Sequence, residues 1–157
     1  MPDDLYHTDI LAWSRAQADR LRRVAAGERV NDVDWAHVIE EVEDLGKSQL
    51  AGVESFLVMA ILHALKVTAW PEEHPAVQHW EAEIANFLTQ AQTRFEPGMR
   101  QHIDGAVLYR RALRQLRKTP MRGTPPLSLP ESLTFDPALV LGEEFGTTDL
   151  LDLIRAA

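Results

Sequence analysis

The stretch from Phe56 to Leu65 is apolar at every position except His63. A run of this kind, apolar all round rather than along one stripe, is stable only as a helix enclosed on every side. It has about half of the ~20 residues that a membrane span needs, so the enclosing groups must come from the chain itself. The flanking segments supply them. Their apolar residues recur at helical spacing, with no alternating strand and no Asn-Gly or Asp-Gly hairpin turn.

Five main helices follow from this pattern. The first runs from Thr8 to Ala26, with Thr8 as N-cap, Asp9 in the first turn and Gly27 just past the end. Its inward stripe is Ile10, Trp13, Gln17, Leu21 and Val24. The second opens near Asp32, behind the capping residues Asn31 and Asp32. It presents Trp35, Val38, Ile39, Val42 and Leu45, and Gly46 marks a break or a close helix contact. The third runs from about Ser48 to Trp70 and stops before Pro71, because a residue preceding proline is pushed out of the α region. The fourth, Pro75 to Phe95, turns Trp80, Ile84, Phe87, Leu88 and Ala91 inward. The fifth, Pro97 to Lys118, does the same with Met99, Ile103, Ala106, Leu113 and Leu116. Residues 119–126 hold three prolines and a glycine and cannot be regular helix. The short apolar pieces beyond them are expected to pack back on the helices. The expected fold is therefore all-α: an antiparallel up-down bundle of about five main helices. Residues 1–157 form a single domain, with the core bundle over 5–118, a linker over 119–126 and a C-terminal arm over 127–157.

Charge narrows the partners. The 157 residues carry a net charge of −8 and no cysteine. A disulfide framework, a thiol nucleophile and a Cys-ligated zinc or iron–sulfur centre are excluded, and non-specific binding to nucleic acid is disfavoured. The charge is not spread evenly. Residues 28–54 hold eight acids and two bases, and residues 100–122 hold seven bases and one acid. Residues 123–157 add six acids against one arginine. The basic block either packs against acidic segments or remains as a basic face. The acidic N-terminus has no basic stretch leading into an apolar run, unlike a signal peptide. A cytoplasmic protein with no membrane partner and no nucleic-acid partner is expected.

Catalytic signatures are missing: there is no Gly-x-Ser-x-Gly, no Gly-x-Gly-x-x-Gly, no phosphate-binding loop and no His-Glu-x-x-His. No catalytic residue, metal or cofactor is assigned. One polar constellation stands out. Glu41 and Glu43 fall on opposite borders of the second helix's apolar stripe, and His63 and Lys66 lie three apart on the otherwise apolar third helix. A buried lysine needs an acidic partner. Lys66 is therefore expected to pair with Glu41 or Glu43, with His63 alongside, as a structural ion pair or as an acid–base or carboxylate-binding cluster. Trp70 and Trp80 read as core anchors, with ligand-facing aromatics as the alternative. For metals, the weak candidates are His37, near Glu40 and Glu41, and His79, four before Glu83. Two-metal carboxylate bundles use the order Glu-x-x-His, and His37-x-x-Glu40 reverses it.

Several of these stretches, taken together, resemble the twenty-ninth catalogued family of domains of unknown function. They are Tyr6-x-x-Asp9 with Ala12-Trp13, then Asp34-Trp35, and Ile39-Glu40-Glu41-Val42-Glu43-Asp44-Leu45-Gly46-Lys47-Ser48. His63-Ala64-Leu65-Lys66, Pro71-Glu72 and Trp80 follow in the same order and spacing. The resemblance covers residues 5–118 well and the arm loosely. It departs at Val67, where the family often has an aromatic, and in the arm, which lacks the family's Cys-Pro. It implies a bacterial, all-α protein and carries over no activity.

Three functional classes follow. The first is a small interaction or regulatory module, acting on a protein partner or as a homodimer, with an exposed apolar patch. The second is a ligand binder or enzyme with Glu41, Glu43, His63 and Lys66 converging in a pocket. The third is a divalent-metal-binding helical protein.

Overall fold

In the computed structural model, which describes residues 4–119, 121 and 123–157, the enclosed run from Phe56 to Leu65 sits inside one 35-residue helix. Among the described residues there are seven α-helices: α1 (Leu5–Thr8), α2 (Ile10–Ala25), α3 (Trp35–Ala69), α4 (His74–Arg94), α5 (Gly105–Lys118), α6 (Pro137–Val140) and α7 (Thr147–Arg155). A 3-10 turn spans Pro97–His102. The fold is all-helical, with no strand among the described residues. Pro120 of the expected linker, Arg122 of the basic block and residues 1–3 of the acidic N-terminus lie outside the described residues.

The chain divides into two compact units, Met1–Ser48 and Gln49–Ala157. The boundary falls within α3. The break expected at Gly46 does not form, so the second and third expected helices are one. A glycine inside a helix costs only about 0.5–1 kcal/mol relative to alanine, and the other residues of α3 outweigh that.

The first unit is held by its caps and by one tryptophan. Asp9, not Thr8, caps α2, its carboxylate accepting from Ala12 N at 2.9 Å. Gly27, at φ +86°, closes that helix. Gly27 N donates to Val24 O (2.9 Å) and Glu28 N to Arg23 O (3.0 Å), the paired bonds of a Schellman stop. Asp34 opens α3: its carbonyl accepts from Val38 N at 2.9 Å. Trp13 and Val33 are the buried apolar side chains among the described residues of this unit.

The second unit has the true core. Val53, Leu57, Ile61, Ala64 and Leu65 of α3 are buried together with Ile84, Leu88 and Ala91 of α4 and Leu108, Ala112 and Leu113 of α5. An 18-residue window of α3 is apolar enough to cross a membrane by length and composition, with mean hydropathy 1.7, yet 56% of it is buried inside the protein. The expected fifth helix is split. After the 3-10 turn the chain extends, and Asp104 starts α5 afresh by accepting from Ala106 N (3.0 Å) and Val107 N (3.3 Å).

The C-terminal arm completes this core, as its apolar residues suggest. Leu133, Phe135, Val140, Leu141, Leu150, Leu151 and Ile154 are buried. Leu127 and Leu139, by contrast, stay more than half exposed. Leu127 N donates to Ala69 O, Trp70 Nε1 to Thr124 O, and Gln92 Nε2 to the carbonyls of Val140 and Phe145. At Gly105 the arm passes so close that a Cβ would stand 2.7 Å from the Phe135 carbonyl, so only glycine fits there.

Candidate functional site

The residues of the expected cluster all lie on α3, Glu41 and Glu43 in the first unit and His63 and Lys66 in the second. His63 is 8% exposed; its Nδ1 bonds to the Met59 carbonyl at 2.7 Å, and its ring lies 5.4 Å from that of Phe87. Burial lowers its pKa. Lys66 is half-buried, and no carboxylate lies within ion-pair distance of it among the described residues. Glu43 is exposed.

Trp70 and Trp80 are core residues, 3% and 8% exposed, with ring centres 6.4 Å apart. His79 is exposed on α4. Among the described residues no three His, Asp or Glu side chains gather as a metal site.

The structure instead draws together a polar–aromatic network in the first unit. Its centre is Asp34. One carboxylate oxygen accepts from Trp13 Nε1 at 3.1 Å and lies 2.7 Å from His37 Nδ1. The Asp34 amide donates to Gln17 Oε1 at 2.8 Å, which accounts for a glutamine that is 5% exposed. The His37 ring stacks on Tyr6, centres 3.8 Å apart, and Tyr6 meets Trp13 edge-on at 5.0 Å. The Tyr6 hydroxyl donates to Glu41 Oε1 at 2.7 Å. The short helix α1 is thereby fastened to α3, and α2 is fastened through Trp13 and Gln17.

This geometry decides what His37 can do. The Asp34 carboxylate only accepts, so His37 Nδ1 is the donor of that bond. An aspartate-oriented histidine is half of a general-base arrangement. The other half is missing: among the described residues no side chain bonds to Nε2, and the described concavities are lined by residues of the second unit. The network is therefore best read as a clasp. The sequence offered one signal for it: Tyr6, Trp13, Asp34 and Glu41 all lie in the stretches that carry the family resemblance. Helical spacing could not find it, because the contacts span 17 to 35 residues.

Two titrations test the clasp. The hydrogen bond to Glu41, first, and burial push the Tyr6 hydroxyl up to about 12, and burial does the same to Tyr109. These are the chain's two tyrosines. Phenolate absorbance of the folded protein will therefore rise about two pH units later than in the denatured chain, from the ordinary value near 10. A rise near pH 10 without unfolding would show that Tyr6 is free. Asp34 is shifted the other way: the hydrogen bond from His37, foremost, holds its carboxyl below the ordinary range, against desolvation. A depressed folded-state pKa means that the carboxylate stabilises the fold above about pH 4 and that the gain is lost as pH falls through the folded value. Asp34→Asn will flatten the acid limb of the first unit's stability curve. An unchanged limb would contradict the assignment.

Comparison with known proteins supports the all-helical fold. A crystal structure at 1.45 Å of an alpha-helical protein of unknown function from Rhodospirillum rubrum matches with a TM-score of 0.65 and 27% identity, over 94% of this chain and 95% of that one. No curated protein matches. The family model described as "Domain of unknown function DUF29" matches residues 5–146, a span that takes in the Tyr6–Trp13–Asp34–Glu41 clasp and most of the second unit's core. The chain belongs to the DUF29 family.

Proposed function

We propose that this protein is a helical interaction module whose contact face is the N-terminal half of α3. One observation carries the reading. Trp35, Ile39, Val42 and Leu45 recur at helical spacing on α3 and are 51%, 56%, 68% and 63% exposed. The sequence reads them as an inward stripe, and that expectation is corrected: the clasp uses the neighbouring face, through Asp34, His37 and Glu41, and leaves this row outside. Ile10 and Leu11 of the same unit are also more than half exposed. Scattered apolar residues on a surface need no explanation, but a contiguous row of large ones marks a place where another surface binds. A cytoplasmic setting suits a chain without cysteine.

The test is photocrosslinking in cells that make the protein, with a photoreactive residue at Val42 and, as control, at the exposed Gln78 of α4. The expected result is an adduct of discrete mass from position 42 and none from 78. The reading is abandoned if positions 39, 42 and 45 all give no discrete adduct.

A further inference from the structure

The outer face of α5 carries a group of cations without carboxylate partners among the described residues. Arg110, Arg111, Arg114 and Lys118 are exposed, and among the described residues none has a carboxylate within ion-pair distance. The acidic arm does not cover them. It crosses the opposite, apolar side of α5, where Tyr109 bonds to Pro130 O. Among the described residues its ion pairs with the basic block are Arg117–Glu131 (2.6 Å) and Arg100–Asp136 (2.9 Å). Arg110, Arg114 and Lys118 stand at i, i+4 and i+8, a straight ridge with steps of about 6 Å. Beside it, Arg110, Leu113, Arg114, Arg117, Lys118 and Glu131 bound a shallow concavity of about 390 Å³.

The chain carries the complement of this surface. Residues 28–54 have a net charge of −6 and residues 100–122 a net charge of +6. The exposed row of α3 lies within the acidic block. Glu43 borders it, and Glu40, one turn earlier, is likewise exposed. Pairing the row with the same row of another copy would set acid against acid. Pairing it with α5 sets acid against unpartnered base. We propose that the acidic, apolar N-terminal half of α3 docks on the outer face of α5 in a second copy of this chain. Trp35 lies over the arginine stems, which cover apolar surface while their guanidinium groups stack on the ring or meet carboxylates. The apolar row supplies most of the affinity, and the charges choose the partner and the register. The inference rests on reading that row as the contact face and adds the identity of its partner.

Sedimentation equilibrium over a range of concentration and salt tests it. The expected mass rises above the 17.7 kDa of one chain as concentration rises, and less so in high salt. Arg110→Glu/Arg114→Glu alters exposed side chains only. It will keep the wild-type melting curve and weaken association by about tenfold or more. Glu43→Arg, on the border of the row, will do the same. Mixing the two variants sets reversed charges against each other and will restore the association. Undiminished association of the arginine variant, or no rescue on mixing, overturns the proposal. So does a wild-type chain that stays monomeric throughout. If the crosslink from position 42 then has a mass other than twice the chain, the contact face stands and only the identity of its partner falls.

Discussion

Replacing Tyr109 with alanine will destabilise the second unit by about 3–5 kcal/mol, the usual cost of removing a buried aromatic ring. Tyr109 has no exposed surface, although it sits between arginines in sequence, and its hydroxyl donates to Pro130 O at 2.6 Å. The ring thus faces the core while the hydroxyl holds the arm. Tyr109→Phe separates the two roles. It keeps the ring, leaves the Pro130 carbonyl unpaired, and will cost about 1–2 kcal/mol. Chemical denaturation followed by circular dichroism measures both. Equal losses in the two variants would show that the ring contributes nothing beyond its hydroxyl, against the packing described above.

Trp13→Ala will have an effect of similar size, about 3–5 kcal/mol, confined to the first unit. That unit has little else to lose. Trp13 is 6% exposed, Val33 is its companion in burial, and the indole N–H is one of the bonds on Asp34. Removing the ring also takes away the edge contact to Tyr6. Amide hydrogen exchange resolves the two units. Exchange in α2 will quicken by roughly a hundredfold or more, as 3 kcal/mol of lost local stability implies, while amides of α4 and α5 keep their wild-type rates. A uniform change through the chain would contradict the independence of the two cores.

Most of the helices were legible because their signals are local. The apolar run of α3, the Trp80–Ile84–Leu88–Ala91 stripe of α4, Gly27 beyond α2 and Pro71 beyond α3 are each read within a turn or two of helix. The arm was legible for a different reason: leucines and a phenylalanine in a proline-rich tail have to be buried somewhere. What failed was the join at Gly46. A single glycine is a weak stop signal, because its cost is small beside the propagation of a long helix. The same error hid the exposure of Trp35, Ile39, Val42 and Leu45, whose periodicity is that of a buried stripe. Periodicity reports that a helix has an apolar face and is silent on whether the covering surface belongs to the same chain. The clasp of Tyr6, Trp13, Asp34, His37 and Glu41 was out of reach for periodicity because the bonds that tie α1 and α2 to α3 join residues 17 to 35 apart.

The central claim is that the first unit is held by the clasp centred on Asp34. The Trp13 indole N–H donates to the Asp34 carboxylate, so its exchange with solvent reports on the clasp directly. Followed by nuclear magnetic resonance, the Trp13 indole proton is expected to exchange slowly in the wild-type chain and much faster in Asp34→Ala. Equal exchange rates in the two proteins would contradict the account.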